Sequence, residues 1–137
     1  MDCGKPGTNC HLLVYRRGTP LAVQSSRANQ YESTVFNTLL DAVEPVCQVR
    51  GRPRKRPTRL HAEKGYDYCK CHPALRSRCI ESSERVGCHR WVIERIFAWL
   101  NRNHRLRMRY ERRDDIHLAF TKPTCALINL KACIRFT

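Results

Sequence analysis

The chain has no long apolar run. Nothing approaches the 18 consecutive apolar residues of a membrane-spanning helix, which excludes that class of protein from the reading. The opening residues MDCGKPGTNCH lack the apolar centre of a secretory signal, so the chain is expected to stay in the cytoplasm. Internal repeats are absent, and so is any low-complexity segment beyond the arginine-rich runs. Acid is scarce: 12 Asp and Glu stand against 26 Lys and Arg, a net charge of +14. Well-spaced zinc ligands are also lacking. Cys69, Cys71, His72, Cys79, Cys88 and His89 fall close together, but Cys69 and Cys71 have one residue between them and no second close pair follows. Without a secretory signal, the nine cysteines do not argue for a disulfide framework either.

What is present is positive charge, and it is concentrated. Residues 50–113 hold 19 Lys and Arg against 6 Asp and Glu, nearly the whole imbalance. Such a field favours a phosphate backbone, an acidic protein or an anionic surface, and a solvated basic face without a partner has the same composition. Arginine exceeds lysine several-fold, which tilts the choice toward phosphate because the guanidinium fork matches its oxygens. The length, 137 residues, suits one domain.

In chain order, HLLV at 11–14 and LAVQ at 21–24 predict two strands about the turn Arg16–Pro20, the second starting beside Pro20, where a missing N–H costs least. Residues 1–10 read as irregular and 25–29 as a polar loop. Val35, Phe36, Leu39, Leu40 and Val43 recur at helical spacing, with Ser33 or Thr34 as cap and Pro45 as terminator. Residues 50–59 contain two prolines and a glycine among Arg50, Arg52, Arg54, Lys55, Arg56 and Arg59, a basic arm that cannot be a regular helix. Leu60 and Ala62 predict a short strand that ends at Glu63. Asp67 would cap a helix carrying Cys71, Leu75 and Cys79. The main helix runs from Glu84 or Gly87 to Asn103, with Val92, Ile93, Ile96, Phe97, Trp99 and Leu100 as its apolar stripe and Arg90 and Glu94 one turn apart. Arg105, Arg107, Arg109, Arg112 and Arg113 follow at short intervals, in either extended or helical backbone. From Asp114 onward the pattern is a mostly buried helix, bent or broken at Pro123.

Several long segments carry a family likeness in order: GKPGTNCHLLV with RRGTPLAV, ESTVFNTLLDAV, GRPRKRPTRLHAEKGYD, ESSERVGCHRWVIERIFAWLNR and LRMRYERRDDIHLAF. Together they resemble the C-terminal part of the catalytic domain of DDE transposases of the IS5-like insertion-sequence group. The resemblance implies an α/β fold, a mixed sheet flanked by helices, of an incomplete ribonuclease-H-like kind spanning residues 1–137. It implies hydrolysis and strand transfer on double-stranded DNA, at transposon ends and target, by carboxylates holding Mg2+ or Mn2+. Two such ions, held about 4 Å apart, activate the nucleophile and stabilise the leaving oxygen.

Carried over by position, Glu94 matches the catalytic glutamate, Arg90 its neighbouring arginine, and Glu63 the second acidic position, where the family has aspartate. Glu63 and Glu94 are therefore the expected metal ligands. Lys64, Arg95 and Arg102, with the arm residues and Arg105, Arg107 and Arg109, are the expected DNA contacts. The first aspartate of the triad belongs upstream of the segment that opens here, and Asp2 does not match it. About ten residues usual between positions 78 and 81 are missing as well, so exposed strand edges are expected. Cys69 and Cys88 fall where the family has basic residues, which reads as sequence drift. The chain is thus expected to bind DNA as a truncated transposase unable to cleave alone. The alternatives are a non-enzymatic regulator that inhibits the full-length protein, as a homo-oligomer or mixed dimer, and one half of a split enzyme.

Overall fold

A computed structural model describes residues 7–45, 51–54, 56–63, 66, 69, 71–82 and 89–135. It opens on a hairpin of β1, Thr8–Val14, and β2, Pro20–Arg27, paired antiparallel with Leu12 opposite Val23 and Leu13 opposite Ala22. The turn closes through Tyr15 and Thr19, whose backbone N–H and carbonyl lie 2.8 Å apart, and Gly18 takes the φ of +88° that side chains disfavour. The register shifts between Leu13 and Val14, where Pro20 joins as the first residue of its strand.

Alternation along the hairpin sends its residues into two cores. Leu13 packs with Phe36, Leu40, Cys71, Leu75 and Ile80. These come from α1, Glu32–Asp41, from α2, Cys71–Ser77, and from the segment after it. Val23 and Leu12 pack on the other side with Ile96, Leu100 and Cys125. There the partners are α3, Arg90–Leu100, and α5, Asp114–Arg135. Ile96 is fully buried, the best-enclosed side chain among the described residues. Two further elements are short: β3, Arg59–Leu60, pairs parallel with β4, Glu81–Ser82, and α4 is the single turn His104–Arg107.

The α/β class holds. The single mixed sheet does not: the described strands form a two-stranded antiparallel sheet and a separate two-stranded parallel one. Strand β1 begins three residues before the predicted run, and β2 continues through Ser25 and Ser26, which the sequence places in a loop. Both serines find distant partners that make a polar strand affordable: Ser26 shares a hydrogen bond with His11, and Ser25 donates to Asp114. Neither Ser33 nor Thr34 caps α1. The N-cap is Tyr31, and Thr34 instead donates to the Tyr31 carbonyl at 2.7 Å. Helix α3 stops at Leu100, short of Asn103, and Cys79 lies past the end of α2 with φ of 54°.

Pro123 sits inside α5 without breaking it, and that helix is less buried than its pattern implies, since Ile116, Phe120, Leu127, Leu130 and Ile134 are exposed. The basic run after α3 is one helical turn followed by non-helical chain to Arg113. Asp67, Cys88 and the expected start of α3 at Glu84 or Gly87 lie outside the described residues. No described helix is long and apolar enough to cross a membrane.

Candidate active site and nucleic-acid surface

Helix α3 presents two unlike faces because its apolar residues recur every three to four positions. Val92, Ile96 and Leu100 are buried, which leaves Arg90 and Glu94 on the outer side. Arg90 Nε donates to Glu94 Oε1 at 2.9 Å. The same nitrogen lies 3.8 Å from Glu63 Oε1, brought there by the backbone that continues three residues beyond β3. One guanidinium therefore faces both expected metal-binding carboxylates. Their side chains are about half exposed, so the ion pairs contribute at most about 1 kcal/mol each to stability. His61 and His89 meet edge to face at 4.5 Å between ring centroids, a second link between the β3 end and the start of α3. Burial pushes the His61 pKa below its usual value, and the neighbouring His89, Arg59 and Arg16 push the same way.

Beside Glu63 lies a network that sequence pattern does not flag. Buried His11 bonds Tyr66 Oη through Nδ1 at 2.5 Å and Ser26 Oγ through Nε2 at 2.7 Å. Burial lowers the His11 pKa, so the ring is held neutral, with one nitrogen donating and the other accepting. Burial also raises the Tyr66 hydroxyl, with the charges of Glu32 and Glu63 adding to it. The one sequence signal is that His11 and Ser26 share a face of the hairpin, His11 standing opposite Gln24 and Ser26 two residues beyond it. A cavity of about 220 Å³ opens here, lined by residues 9–13 of β1 and by Phe36, Leu60, Glu63, Tyr66 and Phe97.

The expected DNA contacts divide into two sets. Arg52, Arg54, Arg56, Arg102 and Arg107 are exposed, with no ion pair to a described residue. Lys55 and Lys64 lie outside the described residues. The others have protein partners. Arg59 pairs with Glu81 at 2.9 Å, and Arg105 pairs with Glu111 at 2.8 Å while lying 5.0 Å over the Phe120 ring. Arg109 reaches Thr8, the Glu111 carbonyl and Asp114. Arg95 is held most fully, between the rings of Trp91 and Trp99 at 4.8 and 5.3 Å, with Nη2 donating to the Arg17 carbonyl at 2.9 Å.

Among the described residues, no three His, Cys, Asp or Glu side chains converge as a metal site. Two carboxylates facing one point suit a single hard cation that completes its shell with water and substrate phosphate oxygens.

Residues 30–131 match the transposase DDE domain, and the chain belongs to that family. It is 41% identical over 136 residues to a Burkholderia cepacia protein named as transposase for insertion sequence element IS402. The match covers 93% of this chain and 64% of the relative, so the chain spans less than two thirds of the relative's length. No solved structure gives a significant match.

Proposed function

We propose that this chain is a DNA-binding part of an insertion-sequence transposase that does not cleave or transfer strands by itself. The observation that carries this reading is Arg90 facing Glu63 and Glu94 together, with no third ligand among the described residues. Glu63 and Glu94, the residues proposed as metal ligands, both approach a cation of the protein's own, Arg90. A bound Mg2+ would supply charge neutralisation at a phosphate oxygen. Glu63 and Glu94 would hold it, and Arg90 would turn from the carboxylates toward the scissile phosphate. Removing one member of a catalytic unit costs most of the rate, so a site with no third carboxylate among the described residues is expected to be silent.

DNA binding rests on the exposed arginines. Phosphate contacts fix position without reading bases, and each displaces counterions. The test is fluorescence anisotropy with a duplex carrying the element's ends, over a salt series. Affinity should fall steeply with salt, and the triple variant Arg52→Ala, Arg54→Ala, Arg56→Ala should flatten the log–log slope by about 2–3. An unchanged slope would remove the arm from the interface.

A second reading, a transposase completed by another polypeptide, is supported by the cavity. Its lining joins β1, which has β2 as its one described neighbour, to the Leu60–Glu63 segment. An unpaired strand edge beside an apolar recess suits strand addition. The part of the IS402 relative that this chain does not span, supplied as a separate polypeptide, should then restore Mg2+-dependent nicking. A mixture without activity would exclude it.

A further inference from the structure

Helix α5 is apolar on two opposite sides. Its inner stripe, Leu118, Thr121, Cys125 and Ile128, is buried or half-buried and carries the helix's contribution to the second core. The outer stripe runs Ile116, Phe120, Pro123, Leu127, Leu130 and Ile134, at intervals of four, three, four, three and four residues. That is the spacing of a coiled-coil seam. Its large side chains remain exposed, from 39% for Phe120 to 67% for Ile134. A surface helix with one core to cover does not need this second seam, and a contiguous exposed apolar stripe marks an interaction site.

We propose that α5 pairs antiparallel with α5 of a second copy of this chain. The seam is its own complement under that operation. Reversed about the level of Cys125, Ile116 meets Ile134 of the other copy, Phe120 meets Leu130, and Pro123 meets Leu127. Two of the three layers then set unlike side chains together, Phe120 on Leu130 and Pro123 on Leu127, and the outer layer sets isoleucine on isoleucine. A parallel pair would stack Phe120 on Phe120 and Pro123 on Pro123, and would place the two Lys131 ammonium groups on the same level.

The antiparallel arrangement also lays each helix's negative C-terminal end beside the other's N-terminal end. Ala119 and Ala126, both exposed beside the seam, leave room for the backbones to approach. Five half-exposed side chains offer on the order of 500 Å² per copy, and two copies together reach the roughly 1,000 Å² that a specific interface needs. Arg105 lies 5.0 Å over the ring of Phe120, beside the N-terminal half of the seam. The two-fold pairing also places two copies of the basic surface on one particle.

Sedimentation equilibrium on the full chain tests this. The native protein should dimerise at micromolar concentration. Ile116→Lys and Ile134→Glu should each weaken the dimer by about tenfold or more, since each buries a charge against an apolar partner. The double variant should recover much of that loss, because antiparallel pairing sets each Lys against a Glu, whereas parallel pairing sets like against like. Far-UV circular dichroism and the melting temperature should stay close to native in all three, separating loss of the interface from loss of the fold. A native protein that stays monomeric, or a double variant no better than the singles, would overturn the proposal.

Discussion

Glu63 and Glu94 reach the same nitrogen, Arg90 Nε, at 3.8 and 2.9 Å. Neither neighbour in sequence nor shared element brings them together: one follows a two-residue strand and the other rides the second turn of α3. The arginine masks what would otherwise be two like charges facing each other. Arg90→Ala should therefore raise Mn2+ affinity several-fold, read by the loss of the free-ion paramagnetic resonance signal on titration. Adding Glu94→Gln to that variant should abolish the gain. An affinity unchanged by Arg90→Ala would mean that the two carboxylates do not share a site.

Gly18 and Arg95 form a second long-range pairing. A methyl group on Gly18 would lie 2.6 Å from Arg95 Nη2, and the φ of +88° already disfavours any side chain. Gly18→Ala should destabilise the fold by about 1–3 kcal/mol in urea unfolding. In an Arg95→Ala background the same change should cost less, because the collision disappears and only the backbone strain remains. Equal costs in both backgrounds would show that the guanidinium does not rest on the turn.

His11 makes stability depend on pH. Burial lowers its folded pKa, so the unfolded chain takes up a proton that the folded chain resists. Its contribution is complete above the unfolded value of about 6.5 and is lost as pH falls through the lower folded value. The urea midpoint should drop between pH 7.5 and 5.5, and His11→Asn should show a smaller drop from a lower starting stability. Identical pH dependence in the two proteins would clear His11 of the effect.

Elements whose physics is local could be read from the sequence. The spacing of Phe36, Leu39 and Leu40 gives α1, and that of Val92, Ile96 and Leu100 gives α3. Gly18 and Pro20 mark the hairpin turn and the start of β2. The misses share one cause, a partner far along the chain. Ser25 and Ser26 look like loop residues until Asp114 and His11 satisfy them. Nor does the sequence pair Arg95 with the Arg17 carbonyl, 78 residues away, that holds it alongside two tryptophans. Periodicity found α5 but could not tell which of its two apolar stripes the hairpin covers. At the candidate site, the Arg90–Glu94 pair follows from helical spacing alone. That Glu63 joins them came from family likeness and from the fold, since nothing local links position 63 to position 94.

The most direct test is strand cleavage on a supercoiled plasmid carrying the element's terminal inverted repeats, with Mg2+ and then Mn2+. The native chain alone should bind the DNA and leave no more nicked product than Glu94→Gln does. Metal-dependent nicking by the native chain that Glu94→Gln abolishes would contradict the account, because it would mean that Glu63 and Glu94 support chemistry with no third carboxylate among the described residues.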